Sequence, residues 1–180
     1  QADVHSLPWR EIGPALLAAI EERADLLDLH ELLQRWDGRV SVDSPAATLF
    51  QLFLAEMSRR IVRSRAPRAY QWALGRGALE LVPHALFALR RVSHLVRLLR
   101  DEPEGWFKRS WPEELADVML TVRRKLVARA GADPNRWCWG QLRTVTFEHP
   151  LGESPPLGRL FNLGPVAVGG DANTVAQAGV

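Results

Sequence analysis

Apolar residues recur every three or four positions through the first 130 residues, a spacing that predicts amphipathic helices. The first predicted helix runs from Pro14, which fits a first helical turn, to Arg35, and Gly38 then stops it. Another helical region covers Leu79–Arg100 and is started or interrupted at Pro83.

Two further helices carry capping signals at their N-termini. The side chain of Ser44 can cap the free amides of one helix, and Pro45 suits its first turn. The other helix begins with the S-x-x-E capping box of Ser110 and Glu113 and ends at Gly131. Acidic residues open this second helix and basic residues close it, which complements the helix dipole.

Helical periodicity stops near Gly131, and the chain that follows is rich in glycine and proline. Aromatic and β-branched residues crowd segment 137–147, which favours a strand. Short strands are also expected at 166–168 and 174–175. One face of the first strand would carry Trp137, Trp139, Val145 and Phe147. The fold class is therefore α+β, with a helical subdomain at 1–131 followed by a strand and loop segment at 132–180.

The composition is that of a globular protein, since 47% of the 180 residues are hydrophobic and 24% are charged. This balance excludes collagen-like, low-complexity and disordered classes. The 23 basic and 21 acidic residues leave a net charge of only +2, which argues against electrostatically driven binding to nucleic acid or membranes. No apolar run approaches the roughly 20 residues of a membrane span.

Metal and thiol chemistry find little support in the residue pattern. The five histidines are His5, His30, His84, His94 and His149, and no two have the spacing of a metal site. The single cysteine, Cys138, excludes an internal disulfide framework. Because Cys138 lies between two tryptophans in a predicted strand, we expect a small buried apolar residue rather than a reactive thiolate.

Three features leave a choice between a chemical and a structural role. His149 could work with Ser154 or Asp171 as an isolated catalytic group, although a histidine that bonds the loop backbone is favoured. The arginines between Arg59 and Arg68 could contact phosphates, but their position at a helix end favours a solvated, ion-paired face. A third feature, the Gly-Gly turn before Asp171, could be an anion nest and is weak evidence alone.

Three separated motifs occur in a fixed order along the chain. They are a WDG triplet, a long W-x-W-G stretch running to F-x-H-P-L, and a final G-G-D-x-x-T-V stretch. Together they resemble the later part of the β chain of the penicillin amidase (penicillin acylase) family of N-terminal nucleophile hydrolases. The motif residues are Trp36, Asp37, Gly38, Trp137, Trp139, Gly140, Phe147, His149, Pro150, Gly169, Gly170, Asp171 and Thr174.

The resemblance implies an αββα sandwich and the hydrolysis of a linear amide, such as the acyl side chain of a β-lactam or an acyl-homoserine lactone. Members of the family arise from an autoproteolytic precursor, whose cleavage exposes a nucleophilic serine at the start of the β chain. That serine, the oxyanion asparagine and its partner arginine would all precede the WDG motif, and Gln1 has no nucleophilic oxygen or sulfur. We therefore expect no catalytic residue in this segment.

The chain is accordingly expected to be an interior fragment that acts as a scaffold and is inactive alone. Its partners would be the α chain and the N-terminal part of the β chain of the same precursor, with a small-molecule amide substrate and neither nucleic acid nor membrane. No cofactor or metal is expected here, because the calcium ligands of the family lie upstream. The resemblance favours a periplasmic or secreted parent.

Two other functions stay open from the residues. One is a non-enzymatic helical interaction domain with an arginine-rich face that could bind nucleic acid. The other is an independent hydrolase that uses His149.

Overall fold

The protein is described here by a computed structural model that covers residues 3–74, 84–153, 155–171 and 173–175. Within these residues, the helices are α1 (Leu7–Ile20), α2 (Leu27–Gln34), α3 (Pro45–Arg65), α4 (Tyr70–Ala73), α5 (His84–Asp101), α6 (Trp111–Ala130), α7 (Trp139–Leu142) and α8 (Pro155–Phe161). The strands of the same part of the chain are β1 (Thr144–Phe147) and β2 (Leu163–Ala167), and short 3-10 turns connect several of the elements. The predicted α+β class is confirmed, with helices in the majority.

The start of the first helix lies earlier than Pro14. The Ser6 side chain accepts a hydrogen bond from the backbone amide of Trp9 at 3.4 Å, and Pro8 occupies the first turn. Pro14 therefore lies inside α1, and the prediction of one continuous helix to Arg35 is wrong. Between α1 and α2 the chain makes a 3-10 turn that keeps Leu26 in the core.

The two helices with capping signals form as predicted. Ser44 accepts a hydrogen bond from the Ala47 amide at 3.1 Å. At the start of α6, the Ser110 amide donates to Glu113 Oε2 at 2.9 Å and the Ser110 hydroxyl oxygen accepts from the Glu113 amide, which completes the capping box. Gly131 ends α6 with a φ of +87°, a conformation that favours glycine. For α5, the predicted positions 79 and Pro83 lie outside the described residues.

The main core lies among α1, α2, α3, α5 and α6. Each of these helices turns one apolar stripe inward, which is how amphipathic helices gain most of their stability. Fully buried side chains include Leu16, Leu29, Leu33, Leu49, Phe50, Phe53, Met57, Val118 and Met119. The Phe50 ring lies 5.1 Å from Trp9 and 5.7 Å from Trp36, so it joins α1, the end of α2 and α3.

The segment before β1 is not a strand. A 3-10 turn at Pro134–Arg136 begins where Asp133 Oδ1 accepts from the Asn135 amide, and α7 follows at Trp139–Leu142. Trp137 is 2% exposed in the helical core and donates from Nε1 to the Gly131 carbonyl at 2.9 Å. Burial of this ring overrides the local strand propensity. The tryptophans therefore do not share a strand face with Phe147.

The two strands form an antiparallel pair. Thr144 pairs with Ala167 and Val145 with Val166, and the register is irregular before Phe147 meets Leu163. The strand expected at 174–175 is wrong, because these residues lie in a turn after Asp171. The division at 131 stays a prediction, and Trp137 from the second segment packs into the first.

Candidate functional site

The WDG triplet forms a tight loop after α2. Trp36 donates from Nε1 to the Arg39 carbonyl at 2.9 Å, and Asp37 Oδ1 accepts from the Arg39 amide at 2.9 Å. Gly38 has a φ of +82°, and a Cβ there would lie 3.0 Å from Trp9 Cδ1. The loop thus delivers the following residues in a fixed direction against α1.

Parts of the other two motifs form hydrogen bonds with the segment that directly follows this loop. The Gly140 amide donates to the Val42 carbonyl at 2.7 Å, and the Gly170 amide donates to the Val40 carbonyl at 2.7 Å. We call this meeting point the motif hub, and it comprises Val40, Ser41, Val42, Trp139, Gly140, Gly169, Gly170 and Asp171. Residues that are 98 positions apart (Val42 and Gly140) and 130 positions apart (Val40 and Gly170) in sequence are held together here by backbone hydrogen bonds.

Two hub glycines allow this close approach. A Cβ on Gly140 would overlap Val42 Cγ1 and lie 2.9 Å from the Ala167 Cβ. A Cβ on Gly169 would lie 2.9 Å from the Val40 carbonyl oxygen. Any side chain at either position would push the motifs apart.

Asp171 connects the hub to α3. Its carboxylate accepts from the side-chain amide of Gln51 and, at 2.6 Å, from the Asn173 amide, while Thr174 Oγ1 accepts from the Asp171 amide at 2.9 Å. The residue is only 5% exposed. Burial raises the pKa of Asp171, although the hydrogen bonds from Asn173 and Gln51 oppose that shift. The carboxylate therefore serves here as an acceptor that closes the turn.

The structure brings together part of the predicted motif set. Trp139 donates from Nε1 to the Gly170 carbonyl at 3.0 Å, which joins the second motif to the third. Trp137 faces the helical core instead. Phe147, His149 and Pro150 belong to an exposed part of the strand pair and its loop. Sequence reasoning missed Val40, Val42 and Gln51, because backbone acceptors and a lone amide on a helix carry no recognisable motif.

His149 has a structural role in its loop. Its Nδ1 accepts from the Leu151 amide at 3.1 Å, and its own amide donates to Asn162 Oδ1 at 2.9 Å. The imidazole also stacks on Phe161 at 5.5 Å between ring centres. The hydrogen bond to the loop backbone that the favoured interpretation expects is present. The contacts of His149 and Asp171 do not join the two, and Ser154 lies outside the described residues.

Two of the arginines near the end of α3, Arg59 and Arg60, form ion pairs. Arg60 bonds Glu114 at 2.8 Å and Asp117 at 2.6 Å, and this contact joins α3 to α6. A hydrogen bond from Arg60 lowers the pKa of Asp117, an effect that outweighs desolvation. Arg59 pairs with the buried Glu56 at 3.1 Å. The predicted ion-paired face is confirmed for these two arginines.

Cys138 differs from its prediction. It is half-buried at the start of α7, and its Sγ contacts the Asn135 carbonyl at 3.4 Å. Because the segment turns into a helix here rather than a strand, only Trp137 reaches the core.

Neither a cluster of metal-binding side chains nor a membrane-spanning helix occurs among the described residues. Nowhere in them do three histidine, cysteine or acidic side chains gather as a metal would require. Nor does any helix among them have the length and apolar character needed to cross a membrane.

Comparison with known proteins shows the family of this chain. The model of the penicillin amidase family matches residues 1–180. The chain belongs to the penicillin amidase family. The resemblance drawn from the ordered motifs is thereby confirmed.

Named relatives come from pseudomonads. The chain is 29% identical over 179 residues to the acyl-homoserine lactone acylase QuiP of Pseudomonas putida, covering 94% of this chain and 20% of that protein. It is 28% identical over 157 residues to the penicillin acylase 2 proenzyme of Pseudomonas sp. (strain SE83), covering 85% of this chain and 19% of that protein. The chain thus spans about a fifth of the length of the curated relatives that it matches.

Proposed function

We propose that this chain is a scaffold segment of a penicillin-amidase-type amidohydrolase and contributes no catalytic residue itself. The nucleophile and the oxyanion groups then come from another part of the same precursor. The observation that carries the proposal is that parts of the second and third motifs meet the segment after the WDG loop in the motif hub. Catalytic residues contact substrate, whereas these residues contact one another.

The hub is suited to a positioning role. It fixes the end of β2, through Gly169 and Gly170, against the segment that follows the WDG loop. Small misplacements of a reacting group are costly in catalysis, so a rigid support for neighbouring strands has a direct effect on rate. The close contacts around Gly140 supply that rigidity.

The strand pair supports an attachment to further sheet. Phe147 is 59% exposed, Leu163 is 65% exposed and Val166 is 42% exposed. A two-stranded sheet is marginally stable by itself, and contiguous exposed apolar side chains mark a surface that another element covers. In this proposal β1 and β2 join the αββα sandwich of the complete enzyme, which buries them.

The substrate class follows from the relatives. One is named an acyl-homoserine lactone acylase and another a penicillin acylase. We propose a linear amide with an acyl group as substrate, either the side chain of a β-lactam or an acyl-homoserine lactone. Amide hydrolysis would release the acyl group as a carboxylic acid.

The first experiment uses the complete gene product that carries this chain. We expect this protein to hydrolyse an acyl-homoserine lactone or a phenylacetylated β-lactam. Chromatography of the released acid measures the reaction. Terminal sequencing of the active protein should find a polypeptide that begins with serine. Absence of both hydrolysis and such a polypeptide would overturn the assignment of an amidohydrolase.

A second experiment tests the scaffold role separately. Gly140→Ala adds one methyl group inside the hub, whereas Thr144→Ser removes one methyl group at an exposed position of β1. We expect Gly140→Ala to lower kcat by about tenfold or more in the folded enzyme, while Thr144→Ser leaves kcat unchanged. Circular dichroism verifies that both variants fold. A folded Gly140→Ala enzyme with the wild-type kcat would contradict the positioning role of the hub, but it would not contradict the assignment of an amidohydrolase.

A further inference from the structure

A cavity of about 200 Å³ lies where the C-terminal turn of α6 meets the segment that leads into α7. Its apolar part includes Leu126, Trp137 and Leu142. Its polar part includes the side chains of Arg129 and Arg136. The cavity is separate from the motif hub, which involves other residues.

The charges of Arg129 and Arg136 are not paired within the described residues. Neither guanidinium has a hydrogen bond or ion pair with any residue in the described ranges, although Arg59 and Arg60 on the neighbouring α3 are paired. No aspartate or glutamate lines the cavity. Two guanidinium groups at the rim of one cavity therefore create a local positive potential.

The neighbouring charges strengthen that potential. A second cavity of about 200 Å³ shares Arg129 with the first and is lined by Glu56 and Lys125 as well. The Glu56 carboxylate is already engaged, since it accepts from Lys125 at 2.6 Å and from Arg59 at 3.1 Å. It is therefore not available to compensate Arg129.

We propose that the first cavity binds a small monocarboxylate with a short apolar body. Guanidinium groups match a carboxylate through forked, charge-assisted hydrogen bonds, and the partly exposed Leu142 and Ala130 offer apolar contact to the rest of the ligand. The volume is below the range of about 300–1,000 Å³ that drug-sized ligands occupy, so a linear acid of about six carbons is the appropriate size. This site does not depend on the proposed hydrolysis, because it is argued from charge and shape alone.

The test measures binding to the complete gene product by isothermal titration calorimetry with hexanoate. We expect saturable binding with a dissociation constant of about 1 mM. Arg129→Gln and Arg136→Gln should each weaken binding by about tenfold, the loss expected for a charge-assisted hydrogen bond. Arg124→Gln removes an exposed arginine from the same helix and should leave binding unchanged.

Cys138 reports on the place of binding, because it lines the same cavity. Alkylation of Cys138 by iodoacetamide, followed by mass spectrometry of its peptide, should slow when hexanoate is present. Binding without protection of Cys138 would put the ligand elsewhere and overturn the proposal.

Two other ligands decide the chemistry. Hexan-1-ol has the same apolar chain without the charge, and sulfate has charge without the chain. We expect both to bind more weakly than hexanoate. Equal binding of hexan-1-ol would show an apolar cavity that does not recognise the carboxylate. Equal binding of sulfate would show an unselective anion site. Unchanged binding of hexanoate in both arginine variants would show adventitious association only. Each of these outcomes overturns the proposal.

Discussion

The helical core and the strand pair treat apolar side chains in opposite ways. In the core, Leu16, Phe50 and Met119 have no solvent exposure. In the strands, Leu163 is 65% exposed and Phe147 is 59% exposed. The helices therefore complete their own burial within the described chain, whereas the strands leave an apolar surface without an internal cover.

The difference follows from how each element satisfies its backbone. A helix makes its hydrogen bonds internally and needs only one packed stripe. A strand makes its hydrogen bonds with neighbours, and in the described residues β1 and β2 pair only with each other. A helical bundle can form alone, but a two-stranded sheet draws its stability from what surrounds it.

The largest expected effect tests this contrast directly with a pair of phenylalanines. Phe50→Ala removes a fully buried ring among Trp9, Trp36 and Phe53, so the free energy of unfolding should fall by about 3–5 kcal/mol. Phe147→Ala removes an exposed ring and should change it by less than about 0.5 kcal/mol. Chemical denaturation of both variants of this chain measures the difference. Equal losses would show that the strand surface is already covered.

An intermediate effect concerns ion pairs, compared between a buried and an exposed site. Arg60 is 25% exposed and bonds Glu114, which is 7% exposed. Arg60→Met leaves Glu114 paired only with Arg109, at 3.2 Å. We expect the free energy of unfolding to fall by about 2 kcal/mol, because a nearly buried carboxylate loses its shorter ion pair. Denaturation at two salt concentrations measures it.

The matched control for that change is Arg35→Met, which breaks an exposed pair with Glu31 on α2. We expect the free energy of unfolding to fall by about 0.3–0.5 kcal/mol, and high salt should remove this difference. A loss as large as that of Arg60→Met would contradict the importance of burial.

The smallest effect is a difference in pH dependence between two buried carboxyl groups. For Glu56, burial would raise the pKa, but hydrogen bonds and charges from Lys125 and Arg59 lower it below 4.5. Its contribution to stability is therefore present above pH 4.5 and is lost as pH falls through the folded-state value. For Asp171, burial raises the pKa above 3.8, so its destabilising contribution is absent below pH 3.8, grows as pH rises from 3.8 to the folded-state value, and is complete above that value.

Neutral variants should therefore diverge in opposite directions. Relative to the wild-type protein, Glu56→Gln should lose stability as pH rises, and Asp171→Asn should gain stability as pH rises. Thermal unfolding between about pH 3 and pH 7 covers the transitions of ordinary carboxyl groups. Parallel curves for the two variants would contradict both assignments.

The sequence was informative where local signals agreed with one another. Helix α6 has its capping box, its charge gradient and its apolar stripe in one window, and all three hold in the structure. Segment 137–143 was misleading because its aromatic and β-branched residues favour a strand, whereas burial of Trp137 requires a turn. The motif residues were identifiable in sequence, but their convergence was not, since it rests on backbone atoms of Val40 and Val42.

The bond between Gln51 and Asp171 closes a stretch of 120 residues. Contacts between such distant positions form late, since much chain must be ordered before the ends can meet. We therefore expect the helices to assemble while the chain is still emerging from the ribosome and the turn at Asp171 to attach only after synthesis passes that residue. A newly made chain would spend that interval with a folded helical body and an unattached turn, the stage at which chaperones would find it most accessible.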